Sequence, residues 1–191
     1  MKRLLVPLDG SALAETILPV AEELGKAEEA EVILRRAGPA PGAPGGEAGA
    51  PEAGGPGEGE AYLQAVADRL ARRGLERVRW VVSRDAPAAA IAQVAAEGGV
   101  DMIAMATHGR GGLTRLVLGS VAEAVVRSVG VPVLLIRGQS AWKPWAARKI
   151  VVPLDGSEAS EGILPVVQWV AGPRALTVVL LKVIDPLASS A

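Results

Sequence analysis

Apolar residues recur along this chain at two alternating spacings. Short apolar runs at residues 4–8, 31–36, 77–83, 102–106 and 131–137 read as buried strands, the second less apolar than the rest. Between them the spacing turns helical. Leu13, Ile17, Val20 and Leu24 share one face of a helix over residues 11–24, with Ser11 as its cap. Pro19 should kink or open that helix locally. Leu63, Val66 and Leu70 face inward from a helix at 61–73, and Ile91 and Val94 from an Ala-rich helix at 87–97. Val121, Val125 and Val129 mark a helix from Ser120.

Strand and helix thus alternate five times, with crossovers long enough for parallel pairing. The expected class is α/β, an open, doubly wound five-stranded parallel sheet of the Rossmann-like type. Such sheets bind ligands outside the carboxyl ends of the strands, where strand order reverses. Two strand ends carry special residues: the first, at Asp9-Gly10-Ser11, and the fourth, at a glycine-rich loop. The order 3-2-1-4-5 would make those two strands neighbours at the switch point.

The stretch from Met105 to Val121 carries the clearest candidate chemistry. A strand empties into Gly109, Gly111 and Gly112, and Gly119-Ser120 then opens a helix. Glycines let backbone approach an anion closely, and a helix start leaves N–H groups without an acceptor inside the helix. Ser120-Val-Ala-Glu123 also has the capping-box pattern.

A repeat follows. Lys149-Ile-Val-Val-Pro-Leu-Asp-Gly-Ser157 matches Arg3-Leu-Leu-Val-Pro-Leu-Asp-Gly-Ser11, and Ile163-Leu-Pro-Val166 matches Ile17-Leu-Pro-Val20 at the same offset. The expected division is a first domain at 1–138, a linker at 139–147 and an incomplete second copy at 148–191. That copy has a strand, a helix and a second strand, and no glycine loop of its own. Its apolar edges and faces need a covering surface. Within the first domain, residues 38–60 reduce to Gly, Ala, Pro and Glu, so a flexible loop is expected there.

Composition narrows the picture. Of 191 residues, 50% are hydrophobic but only 3% aromatic, and Phe is absent, so the core must be aliphatic. The net charge of −1 gives no electrostatic case for nucleic-acid or membrane-surface binding. Without cysteine there is no disulfide, thiolate metal site or thiol catalysis. No apolar run reaches the roughly 18 residues of a membrane span. The expected location is the cytoplasm.

Val6-Pro-Leu-Asp-Gly-Ser11, together with Ala106-Thr-His-Gly109 and, after nine intervening residues, Gly119-Ser120, resembles the universal stress protein family, in its ATP-binding branch. The combined motif is specific; either half alone is weak. The resemblance implies the five-stranded fold above and an adenine nucleotide, ATP with Mg²⁺, as cofactor. It places Asp9 beside adenine and ribose, and Gly109, Gly119 and Ser120 around the phosphates, with Val121 next to them. The full implied binding set is Pro7, Asp9, Met105, Ala106, His108, Gly109, Arg110, Gly119, Ser120 and Val121. It also implies a homodimer through the last strand, residues 131–137.

Three departures stand out: Ala106 where the family usually has glycine, Arg84 where a small residue is usual, and Arg35-Arg36-Ala37 at the end of the second strand, normally apolar. Either arginine could alter the adenine site or reach the phosphates. Plainer readings stand beside each assignment. Asp9 also suits a turn before Gly10, the glycines a tight loop, His108 a structural hydrogen bond, and Arg110 and Arg115 solvated surface. Glu123 in the first helical turn competes with an anion. An anion at a helix N-terminus contributes about 0.3–1 kcal/mol, up to ~2 when partly buried. Micromolar binding needs about 8 kcal/mol, so several loop N–H bonds, adenine burial and Mg²⁺ must supply the rest. No Walker-type loop is present, no carboxylate pair lies near the glycine loop, and no nucleophile stands with a base. The expected function is ATP binding in stress response or signalling, with slow hydrolysis at most. The alternatives are a nucleotide-independent dimeric scaffold and a weak ATPase.

Overall fold

Pro19 splits the first predicted helix, and the split shows how this chain balances local and tertiary preference. In a computed structural model, which describes residues 1–37, 57–97, 99–108, 118–138, 148–172 and 176–182, strand β1 (Arg3–Pro7) turns into a 3-10 segment (Ala14–Ile17) and then helix α1 (Leu18–Ala27). Pro19 falls in the first turn of α1, where its missing N–H costs no hydrogen bond. The expected Ser11 cap of the whole helix is corrected: Ser11 Oγ accepts from the Ala14 N–H at 3.0 Å, but the 3-10 segment has Leu13 as its N-cap and α1 has Ile17, neither with a side-chain cap.

The elements that follow are β2 (Glu31–Ala37), α2 (Glu58–Arg72), β3 (Val78–Ser83), α3 (Pro87–Ala96), β4 (Met102–His108), α4 (Ser120–Ser128) and β5 (Val133–Gly138). They form a five-stranded sheet in the order β3-β2-β1-β4-β5, with every pairing parallel. This is the predicted Rossmann-like order. The expected loop at 38–60 is corrected at its end: α2 already begins at Glu58. Glu58 and Glu60 lie in its first turn, where acidic side chains complement the helix dipole. The remainder of that loop lies outside the described residues.

Strand alternation sorts the side chains onto two faces. Leu5, Ile33, Ile103 and Met105 pack on Ile91 of α3 and on Ala122 and Val125 of α4. Leu4, Val6, Val32 and Leu34 are fully buried on the other face, where Gly25 of α1 lies against Val32. Order reverses between β1 and β4, which pair through Leu4↔Met102 and Leu5↔Ile103. The switch point is therefore at Asp9 and the end of β4.

The chain divides into two units, residues 1–142 and 143–191. In the second, β6 (Lys149–Pro153) pairs in parallel with β7 (Thr177–Leu181), joined through the helical turn α5 (Glu158–Glu161) and α6 (Leu164–Ala171). Its register copies the first unit: Arg3↔Glu31 becomes Lys149↔Thr177, and Pro7↔Arg35 becomes Pro153↔Leu181. The surroundings do not repeat. Leu34 is fully buried, whereas its counterpart Leu180 is 60% exposed.

Candidate functional site

The site grows from the turn after β1. Gly10 has φ +88°, a left-handed conformation that glycine adopts without strain. It lets the chain fold back so that the Ser11 N–H donates to Asp9 Oδ1 at 2.8 Å. The second unit builds the same turn, with Gly156 at φ +90° and the Ser157 N–H donating to Asp155 Oδ1 at 2.8 Å. Hydrogen bonds from Ser157, side chain and backbone, hold the Asp155 carboxyl well below the usual carboxylate range. Asp9 is exposed at the switch point, with one oxygen committed to its turn. Turn former and crevice residue are thus compatible roles.

On the neighbouring strand, β4 ends at His108, in register with Gly138. Gly109 and Arg110, with Gly111, Gly112 and Arg115, lie outside the described residues, and so does the linker at 139–147. Thr107 is buried, and its hydroxyl donates to the Ile136 carbonyl at 3.3 Å, tying β4 to β5. Met105 is buried in the face that packs α3 and α4. Ala106 alternates with it, so its methyl stands on the opposite face of β4 from the one α4 covers.

The start of α4 corrects one expectation. Gly119, extended at φ −60° and ψ 157°, is the N-cap, and Ser120 is the first helical residue. The capping box would have required Ser120 as the cap. Glu123 pairs with Arg127 at 2.9 Å along the helix. That pairing offsets the charge that would oppose an anion at this helix end. Val121 packs on the cluster around Val125, so it anchors the helix start to the core.

Strand alternation also separates the two arginines of β2. Arg36 turns to the face that carries α2, with its Cζ 5.5 Å from the centre of the Tyr62 ring and Gly59 beside it. Arg35 takes the face of Ile33 and Met105, next to Pro7 in register, and is only 6% exposed. Burial lowers its pKa from the ordinary arginine value, and Asp85 and Glu97 act in the opposite sense. Its Nε is buried without a hydrogen-bond partner, and so is Ser83 Oγ on the neighbouring β3. Ser83 pairs in register with Ala37, one step beyond Arg35 on the same face. Sequence reasoning missed Ser83, because a lone serine closing a strand carries no motif.

Of the implied binding set, Pro7, Asp9, Met105, Ala106 and the backbone of His108 thus come to the ends of β1 and β4, while Gly119, Ser120 and Val121 form the start of α4. Among the described residues no helix is long and apolar enough to cross a membrane.

The model of the Universal stress protein family matches residues 1–137. Universal stress protein MJ0531 of Methanocaldococcus jannaschii is 34% identical over 80 residues, which are 42% of this chain and 46% of that protein. The chain thus matches less than half of this relative's length. A putative universal stress protein from Pseudomonas aeruginosa superposes on all of this chain and 64% of its own, with a TM-score of 0.72 at 19% identity. A universal stress protein crystallised in complex with cAMP superposes on 72% of this chain and 98% of its own, with a TM-score of 0.54 at 23% identity. At these identities the solved structures speak for the fold alone.

Proposed function

The chain belongs to the universal stress protein family, and from that premise we propose that its first unit binds an adenine nucleotide, ATP with Mg²⁺, as a regulatory ligand in stress response or signalling. The observation that carries this reading is the pairing of β1 with β4. It makes the strands that end at the Asp9 turn and at His108 neighbours at the switch point, where sheets of this kind bind ligands. Helix dipole and N–H groups favour phosphate at α4, and Asp9 Oδ2 can accept from ribose hydroxyls. The fit is supported by Arg35 Nε and Ser83 Oγ, two buried polar atoms without partners at the ends of the adjoining strands. A relative's complex with cAMP agrees in ligand class.

Hydrolysis is slow at most on this reading, since phosphoryl transfer needs a positioned attacking group and charge stabilisation. The unit works in the cytoplasm as a homodimer, using β5, which is the sheet edge beyond β4.

The test is calorimetric titration of nucleotide-stripped protein with Mg·ATP, with AMP as comparison. Saturable binding that favours ATP is expected, and Gly109→Val should abolish it while the fold stays intact. Retained affinity in that variant sinks the loop assignment. No saturation at millimolar ligand leaves a nucleotide-independent scaffold, and multiple turnovers lost on changing Asp9 make the protein an ATPase.

A further inference from the structure

The guanidinium of Arg36 lies against the turn that follows β1. A Cβ on Gly10 would stand 3.8 Å from Arg36 Nη2 and 3.9 Å from its Cζ, in ordinary contact. The side chain reaches this place along the start of α2, with its Cδ 3.6 Å from where a Cβ on Gly59 would stand and its Cζ 5.5 Å from the centre of the Tyr62 ring. Tyr62 is held in turn by Glu15, in the 3-10 segment beyond Asp9. Arg36 is half-buried, and no carboxylate among the described residues pairs with it.

The second unit places a cation in the same way. Pro7 pairs with Arg35 and Pro153 with Leu181, so the residues that follow, Arg36 and Lys182, are equivalent. Lys182 Nζ lies 3.1 Å from where a Cβ on Gly156 would stand. Both glycines, at φ +88° and +90°, leave room for the cation where a side chain would stand. The neighbouring position is not kept, since Arg35 becomes Leu181. Charge is thus retained at the one position that touches the Asp-Gly-Ser turn. Hydrogen bonds from Ser157 and Ser160 hold the Asp155 carboxyl well below the usual carboxylate range, so the cation is not needed to keep that aspartate charged.

Position decides what such a cation meets. With the ribose at Asp9, the hydroxyls that Asp9 accepts from are those at 2′ and 3′. Arg36 touches the next residue of the turn, and β2 lies one strand spacing, about 5 Å, from β1 on the side away from β4. The 5′-phosphates run the other way, towards α4. In open sheets of this kind an acidic side chain takes the ribose 2′-hydroxyl and an arginine nearby accommodates a 2′-phosphate. A guanidinium offers paired N–H donors that match two phosphate oxygens, and such charge-assisted bonds are about twice as strong as neutral ones.

We propose that Arg36 forms a second phosphate subsite, for a phosphate on the 2′ or 3′ oxygen of the ribose, and that the first unit favours adenine nucleotides carrying one. This rests on the nucleotide reading above, keeps its base and its 5′-phosphates, and adds the ribose substituent. Asp9 keeps the hydroxyl that stays free, while the charge of Arg36 offsets that of Asp9 towards the added phosphate.

The experiment is calorimetric titration of the nucleotide-stripped full chain with AMP, adenosine 2′,5′-bisphosphate and adenosine 3′,5′-bisphosphate, with Mg·ATP alongside, for the wild type, Arg36→Ala and Arg36→Lys. One bisphosphate should bind the wild type about tenfold more tightly than AMP, and the better of the two identifies the oxygen. Arg36→Ala should bring that bisphosphate to within about threefold of AMP, and Arg36→Lys, which supplies the cation type of the second unit, should keep part of the gain. The ratio of two ligands on one protein cancels any change in stability that a variant brings. A wild type that saturates with Mg·ATP but binds neither bisphosphate better than AMP overturns the subsite and leaves the nucleotide reading standing. A gain that survives Arg36→Ala also overturns it. Saturation by none of the four ligands overturns both readings together.

Discussion

Tyr62 donates its hydroxyl to Glu15 Oε1 at 3.1 Å, joining helix α2 to the turn that follows Asp9 across 47 residues of chain. The other oxygen of Glu15 takes Arg69 at 2.6 Å. Burial, followed by the charge of Glu15 and its hydrogen bond, raises the Tyr62 pKa well above the ordinary phenol value. A raised folded-state pKa contributes stability that is fully present below about pH 10, the unfolded value, and is lost as pH rises through the folded value. Tyr62 is the only tyrosine in the chain. Tyrosinate absorbance should therefore stay absent well past pH 10 in the native protein and develop at about pH 10 in urea. Tyr62→Phe should lower stability by about 1 kcal/mol. Native titration near pH 10 would show that the bond is not kept in solution.

Gly25 should resist the replacement that usually improves a helix. Alanine in a helix interior normally stabilises by about 0.5–1 kcal/mol relative to glycine. Here a Cβ would stand 2.6 Å from Leu75 Cδ1 and 3.0 Å from Val32 Cγ2, both in nearly fully buried side chains. Overpacking of this kind costs about 1–3 kcal/mol. Gly25→Ala should lower the melting temperature, and a rise would mean that the helix moves outward without resistance.

Leu34 and Leu180 occupy the same register position in the two units, one fully buried and the other 60% exposed. Leu34→Ala should cost about 2–5 kcal/mol in urea unfolding. Leu180→Ala should change stability by no more than about 0.5 kcal/mol. A large loss at Leu180 would reveal that this face is covered in solution.

Asp9 can be tested for its two roles separately. Asn keeps an oxygen for the Ser11 N–H, so Asp9→Asn should leave stability within about 0.5 kcal/mol. Asp9→Ala loses that bond and should cost about 1 kcal/mol. Both should weaken Mg·ATP binding about tenfold, equivalent to ~1.4 kcal/mol. Full affinity in Asp9→Asn would confine Asp9 to the turn.

Much of the fold was written in the chain itself. Apolar runs bounded by helical spacing placed the strands of the first unit to within about two residues of β1–β5. Pro19 marked the break between the 3-10 turn and α1 because its ring forbids a continuous helix, whatever packs around it. The repeat at Lys149 announced a second β-α-β start, and the register of β6 and β7 followed. The Asp9 and Asp155 turns were equally legible, since a left-handed glycine after an aspartate is a local preference.

Tertiary structure decided what depends on long-range neighbours. The helix α4 takes Gly119 as its cap and pairs Glu123 with Arg127, although the local sequence offered Ser120 as the cap. Arg35 and Arg36 are adjacent and chemically identical, and the sequence left open which of them meets the ligand. Pairing of β2 between β1 and β3 sent Arg35 to the α3–α4 face beside Pro7 and Arg36 to the α2 face over Tyr62. Strand alternation guarantees opposite faces, but only the packed sheet gives each face its neighbours. Because solvation and charge partners come from those neighbours, the chemistry of Arg35 and Ser83 is a property of the fold, not of their local sequence.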